Sequence, residues 1–483
     1  MKIKPNHIVT AFLTGALLLL TWTNPIQAQQ PGYRIEGELR NYQQDSIFLG
    51  YYFADKQYLL DTAVVNEGVF NFTGSDTLDS GAYLVVMPPD NKYFQLMISE
   101  DRHFSLSADM NALEQTIEFE GSGDNQLFYE NLRYIAKKRT EQTALTKKRE
   151  QLDSAAAVQV DQALLSLHKE VTKYQNDLVT QHPTTLTAAL VKAGFPIDIP
   201  DYEGDDETVR QKKYQFYKAH YFDNVDLGDS RLLRSPSHVL FDRINYYLEK
   251  LTPQHPDSII TSLDYLLAKF EPSEENFKYF LVKFLNDYAQ SKIVGMDGVY
   301  VHLALNYYAQ NKAPWLEEAQ LKKIVNNARD AAPTLIGKIA PDFIVQNRDS
   351  VDLNLHGISS PYTVLVFWAH DCHHCKESMP LMHEFYREYH DKGVEILSVC
   401  TKLNADEPAC WTFVDEKKID GWINASDKKG GRSYMHSLYN IKKTPKVFVL
   451  DENKKILSKE LNAEQLATFF DQVLDPENTT AEN

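Results

Sequence analysis

Cysteine is scarce in this chain and unevenly placed: four residues in 483, all in the last quarter, at Cys372, Cys375, Cys400 and Cys410. Nothing before residue 372 can form a disulfide, so the fold is not disulfide-stapled and the thiols are concentrated where chemistry would be. Positive charge is also short. Lys and Arg number 50 against 67 Asp and Glu, and the net charge of −17 argues against nucleic acid or an anionic membrane surface as partner. Long apolar runs are missing apart from the amino terminus. There Lys2 and Lys4 precede the short apolar run Ile8 to Leu20, and Ile26-Gln-Ala28 resembles a cleavage site, so residues 1–28 read as an export signal. That run falls short of the ~20 residues of a membrane-spanning helix. No cysteine stands at the cleavage point, which gives no sign of a lipid anchor, and the expected address is a periplasm. There is no long low-complexity tract and no repeat of fixed period.

What remains is globular, with 43% hydrophobic and 24% charged residues, and too long for one core. The predicted class is multidomain: an antiparallel β-sandwich over 29–121, an all-α helical region over 122–334, an α/β domain over 335–475, and a polar, flexible tail over 476–483. Short strand-like stretches at Tyr33, Ser46, Gly68, Gly81 and His103, separated by turn signals, carry the first expectation. Their aromatics read as core more readily than as a binding face. From Asn125 to Gln181 the spacing is that of a helical hairpin broken near Leu152-Asp-Ser and ended by His182-Pro183. Further helices are expected over Val239–Leu251, Ile259–Phe270, Val299–Tyr308 and Trp315–Arg329. Between them Phe277, Phe280, Leu281, Phe284, Leu285 and Tyr288 make a wide apolar stripe. His220, His238, His255 and His302 read as solvated or satisfied by neighbours rather than as ligands.

After Ala331-Ala-Pro333, strands and helices alternate. The spacing predicts strands at 343–345, 362–368, 395–400, 446–450 and 455–457, with Asp352-Leu-Asn-Leu in a loop. Helices are expected over 375–392, 410–418 and 463–473. The centre of this region is Val364-Leu-Val-Phe-Trp-Ala-His-Asp-Cys-His-His-Cys. A buried apolar strand breaks at His370-Asp371, and a helix begins near Cys372, where free N–H groups and the helix dipole favour a thiolate. Cys375 lies one turn on, within disulfide reach. Strand, CxxC and helix in this order form a thioredoxin-type redox motif. A half zinc site is the bland alternative, but no second CxxC or HxxxH of zinc spacing follows.

At Gly337-Lys-Ile-Ala-Pro-Asp-Phe343, at Phe367-Trp-Ala followed by C-x-x-C and Pro380, and at Thr444-Pro445, the chain resembles the TlpA/ResA-type thioredoxin-like disulfide reductases. The resemblance covers roughly 335–475 and implies a thioredoxin-like fold with a cis-proline at Pro445. The upstream regions look like accessory domains attached to such modules. Three positions depart from the pattern. Asp371 stands where a Trp usually precedes the first cysteine, Val366 replaces thioredoxin's buried Asp, and Ser378 replaces a Glu. His373, His374 and Glu377 are the candidates to take the proton of the buried thiol instead.

The expected chemistry is thiol–disulfide exchange with disulfide-containing proteins, needing no cofactor beyond the Cys372–Cys375 disulfide itself and drawing electrons from a membrane thiol donor. Cys372 is the nucleophile and Cys375 the resolving thiol. Pro445 would hold Thr444 so that its backbone pairs with substrate, and Trp368, His373 and His374 are the further substrate-binding candidates. Histidines beside a thiol favour the thiolate and an oxidising pair, whereas the scaffold resembles reductases, which is the preferred direction. Disulfide oxidation or isomerisation, and a copper- or zinc-binding metallochaperone built on Cys372, Cys375, His373 and His374, are the alternatives. Cys400 and Cys410 are read as a structural disulfide or two buried thiols, with a second redox pair as the sharper option.

Overall fold

In this computed structural model residues 32–154, 156–402, 406–427 and 434–474 are described; the expected export signal and polar tail lie outside them. Short β-branched and aromatic stretches, alternating in burial in β1, β4, β7 and β8, make the first eight strands: β1 (Tyr33–Arg40), β2 (Ser46–Phe53), β3 (Lys56–Val64), β4 (Val69–Gly74), β5 (Gly81–Met87), β6 (Lys92–Ile98), β7 (His103–Asp109) and, after the short helix α1 (Leu113–Thr116), β8 (Glu118–Glu120). They form two four-stranded sheets, ordered β4-β1-β7-β8 and β3-β2-β5-β6. Ile35, Leu49, Phe70, Phe72, Val85 and Phe104 fill the space between them. Gly37 is required here, because a Cβ would come within 2.1 Å of the Phe70 ring. The sandwich is as expected with one exception: β1 and β7 run parallel, so it is not purely antiparallel.

Helices α2 (Gly123–Glu150) and α3 (Val158–Gln181) form the expected hairpin, with Tyr134 stacked on Tyr174 at 3.8 Å. Then follow α4 (Leu186–Ala193), α5 (Asp206–His220), α6 (Phe241–Lys250), α7 (Pro256–Phe270), α8 (Glu274–Ala289), α9 (Asp297–Leu303) and α10 (Glu318–Ala331). The apolar stripe lies on α8, and its Phe277, Phe280, Leu281, Phe284 and Leu285 are buried. The helix expected to run on to Tyr308 changes to π-helix over Ala304–Tyr308. Tyr52, Leu84 and Met97 of the second sheet share one core with these helices, so sandwich and helices are packed face to face.

The last region is a seven-stranded sheet ordered β10-β9-β13-β12-β11-β14-β15. Its elements are β9 (Ile344–Gln346), β10 (Asp352–Asn354), β11 (Tyr362–Trp368), α11 (His373–Tyr389), β12 (Val394–Cys400), α12 (Glu407–Lys417), β13 (Ile423–Ser426), α13 (Tyr434–Leu438), β14 (Lys446–Asp451), β15 (Ile456–Lys459) and α14 (Ala463–Leu474). Two differences from the sequence reading have a physical cause. Asp352-Leu-Asn is a strand, β10, because it folds back on β9 by antiparallel pairing that a three-residue polar stretch does not announce. The resemblance, with the length between Cys375 and Pro445, implies an extra strand and helix there, and β13 and α13 lie in that interval; the residues did not place them, since Ile423-Asn-Ala-Ser lacks a run of β-branched residues and becomes a strand by pairing with β12.

Lys459 ties this sheet to the helices. Its buried ammonium donates to the Thr334 carbonyl at 2.9 Å and pairs with the Asp297 carboxylate at the start of α9. Asp297→Ala is expected to cost about 1–3 kcal/mol by leaving a buried cation with one partner, discounted because Asp297 is itself part-exposed. Urea unfolding of the two proteins checks this, and equal midpoints would show the pair to be idle.

Candidate redox site

β11 is hydrogen-bonded on both sides, parallel to β12 and antiparallel to β14, and its residues Val364 to Trp368 are buried. Where it ends, Cys372 is the N-cap of α11 with extended backbone (φ −77°, ψ 122°), and the helix starts at His373. The sheet order brings the β14 entrance beside this cap. The Thr444–Pro445 bond is cis, as the sequence predicts, and the Thr444 carbonyl accepts a hydrogen bond from Cys372 Sγ at 3.1 Å.

The two thiols are free and differ sharply in environment. Cys372 is half-buried. Burial alone would raise its pKa, but the Thr444 side chain, the Cys375 thiol and the backbone N–H groups of Cys375 and His374 outweigh it and hold the thiol below its ordinary value. The contact with the Thr444 carbonyl works the other way, since an acceptor retains the thiol proton. Cys375 faces the apolar core beside Met379 and Met382, and burial pushes it up to about 12.

The remaining predicted residues separate. His373 and His374 stand on the rim, both side chains 79% exposed, and lean on Glu377 at 3.3 and 3.8 Å. This corrects the expectation that they or Glu377 serve the buried thiol: all three occupy the outer face of α11, opposite Cys375. Ser378 Oγ is buried and has no hydrogen-bond partner among the described residues. Trp368 is also corrected. It is 1% exposed and packs on Phe413 with ring centroids 5.0 Å apart, so it props the Cys372 loop and cannot meet a substrate.

Cys400 and Cys410 are bonded to one another, with Cα atoms 6.3 Å apart, joining the end of β12 to α12. Sequence reasoning missed what this end of β12 does. Cys400 lies opposite Trp368 in the ladder, Thr401 donates twice to the Trp368 carbonyl at 2.8 and 3.1 Å, and Lys402 pairs with Asp371 at 2.7 Å. The Lys402 hydrogen bond holds the Asp371 carboxyl below the usual range. The signal was available as Asp371 in place of a Trp, but its partner comes from another strand. Among the described residues no group of three or more His, Cys, Asp or Glu is placed to hold a metal ion, and no helix is long and apolar enough to cross a membrane.

Residues 336–459 match the AhpC/TSA family, while 33–128 and 161–332 match two domains of unknown function, DUF4369 and DUF5106. The thiol-disulfide oxidoreductase ResA of Bacillus cereus is 32% identical over 143 residues, covering 29% of this chain and 78% of that protein. ResA of Oceanobacillus iheyensis is 29% identical over 163 residues, covering 32% and 82%. Among solved structures, a domain of a possible thiol-disulfide isomerase from Cytophaga hutchinsonii is 30% identical, covers 31% of this chain and 99% of that one, and gives a TM-score of 0.28. A thioredoxin-like protein from Bacteroides caccae is 20% identical, covers 57% and 98%, and gives 0.42.

Two measurements test the thiol asymmetry. In the reduced protein, iodoacetamide should label Cys372 with a midpoint below the ordinary thiol value of 9.0, and leave Cys375 unlabelled until the chain is unfolded. Thr444→Val removes a hydroxyl that favours the thiolate, so the Cys372 midpoint should move up; a downward move would mean the hydroxyl does not face the sulfur.

Proposed function

Because the chain belongs to the ResA-type thioredoxin-like thiol–disulfide oxidoreductases, we propose that it is exported and reduces protein disulfides with Cys372 and Cys375. The Cys372 thiolate attacks one sulfur of a substrate disulfide, and the second substrate sulfur leaves as a thiolate that takes up a proton. Cys375 gives up its proton and attacks Cys372 Sγ, and the first substrate sulfur leaves in turn. Two electrons pass to the substrate, and Cys372 and Cys375 end as a disulfide. The pair is its own redox group, and an external dithiol, for which a membrane thiol relay is the candidate, returns the electrons. Thr444, at the mouth of the site, offers backbone to an extended substrate segment beside the sulfur. Cys400–Cys410 acts structurally, fixing the strand end that holds Trp368 and Asp371.

The observation that carries the reducing direction is what surrounds Cys372. The groups that hold its thiol down are neutral hydrogen-bond donors, while the His373 and His374 rings lean on Glu377. Without an imidazolium against the sulfur, the thiolate lacks the stabilisation that makes a pair strongly oxidising. Export rests on the basic and apolar pattern of residues 1–28.

Insulin reduction driven by a dithiol should fall to background in Cys372→Ser, and Cys375→Ser should accumulate a mixed disulfide with substrate. With Cys400 and Cys410 both changed to Ser, the remaining pair should show a reduction potential below about −230 mV. A value near about −120 to −180 mV would make the protein an oxidase or isomerase instead.

A further inference from the structure

The two edges of the second sandwich sheet are treated differently. At β6, α2 closes the edge: Asn125 Oδ1 accepts from the Met97 N–H at 2.7 Å, Asn125 Nδ2 donates to the Met97 carbonyl at 2.8 Å, and the Tyr129 hydroxyl donates to the Gln95 carbonyl at 2.9 Å. At the other edge β3 pairs with β2 alone among the described residues. This strand is nine residues long, and Tyr58, Leu59, Leu60 and Val64 are exposed on it, Leu59 and Val64 by 67% and 68%. Edges of this length are ordinarily blunted by proline, rows of charge or a bulge, and of these β3 carries only the bulge. β3 has no proline and only Lys56 and Asp61 as charged residues. A bulge interrupts it, since Asp61 pairs with Leu49 and Leu59 with Gly50, and the extra residue, Leu60, is turned to the side.

That side is a cleft. A cavity of about 500 Å³ opens where the two sheets part, walled by Tyr33, Tyr51, Phe53, Tyr58, Leu60 and Tyr83. Tyr51 stacks on Tyr58 at 5.5 Å and meets Tyr83 at 6.1 Å, giving a continuous aromatic surface. Arg234 forms part of the floor but is already committed, to Glu275 at 2.6 Å and Asp79 at 2.8 Å. Asp79 is taken up by that pairing, while Asp76 stands at the rim without an ion pair among the described residues, so the charge left for a visitor is negative. A strand edge with no strand partner on its outer side among the described residues, an aromatic pocket beside it and an acidic rim together specify a ligand: an extended polypeptide with apolar and basic side chains.

We propose that β3 and its cleft dock an extended segment of a client protein, which adds a strand to the sheet, seats an apolar side chain against Tyr51 and Tyr58, and turns a basic one to Asp76. This rests on the disulfide-exchange reading above, the client being the protein whose disulfide Cys372 attacks. A second copy of the chain is the poorer occupant. Two β3 edges meeting across a two-fold axis would bring one acidic rim toward the other, in a chain of net charge −17.

The test uses two readouts on the full chain. A fluorescent, cysteine-free peptide of alternating lysine and valine should bind the wild-type protein, bind less well as salt rises, and bind about tenfold less well to the double variant Tyr58→Lys, Leu60→Lys. In the same variant, kcat/KM for oxidised, unfolded ribonuclease A should fall about tenfold relative to kcat/KM for dithionitrobenzoate, through KM. Val64→Lys, at an exposed site on the same strand, repeats the experiment should the double variant misfold. Equal peptide binding by wild type and variants overturns the proposal, as does a wild-type dimer that the variants split, which would make the edge a self-interface. Peptide binding lost in the variants, with neither disulfide turned over by the wild type, upholds the docking site and removes the oxidoreductase reading instead.

Discussion

Everything at the redox site depends on β11 being paired on both sides. The parallel ladder to β12 brings Thr401 and Lys402 to the Cys372 loop, and the antiparallel ladder to β14 brings Thr444 to the sulfur. Neither neighbour is close in sequence. The strand can accept both because Val364, Leu365, Val366 and Phe367 are apolar on both faces and leave no side chain that prefers water. Burying each of these is worth about 1.5–3 kcal/mol, so the frame is far stiffer than the polar contacts it positions.

On that frame two chemically identical thiols acquire different properties. Cys372 caps a helix, partly open and surrounded by donors. Cys375 lies one turn further on the face turned to the core. In the proposed exchange the first attacks, and the second keeps its proton until a mixed disulfide brings an electrophile next to it. The asymmetry follows from helical periodicity at the end of a buried strand, and Val366, where thioredoxin carries an acid, leaves Cys375 in an apolar setting. The exposed His373, His374 and Glu377 satisfy one another outside it.

The three regions are joined to one another by buried cations rather than by loose tethers. Lys459 reaches across to Asp297 and Thr334, and Arg234 joins the sandwich loop at Asp79 to α8 at Glu275. Such contacts have little net worth but are costly to break on one side, which holds the parts in one arrangement. A sandwich that has one sheet edge closed by Asn125 and Tyr129 and the other left open is thereby carried at a fixed position relative to the thiols.

Much of this was legible in the residues. The CxxC pair at a strand-to-helix junction, Thr444-Pro445, the apolar stripe on α8 and the change from strands to helices near Gly121 are local patterns, set by periodicities that a chain cannot hide. What failed was non-local. Ile423–Ser426 became a strand, and Asp352–Asn354 another, only because a partner strand lay beside each. Trp368 looked like a substrate contact until Phe413 covered it, and the histidines looked like proton acceptors until the helix turned them to solvent. Sequence thus determined which groups could react and what the long, strongly periodic elements would be. Only the tertiary structure decided which groups meet, because the ladder and the packing that join Cys372 to Thr444, and Asp371 to Lys402, span tens of residues and are paid for by burial that no short window records.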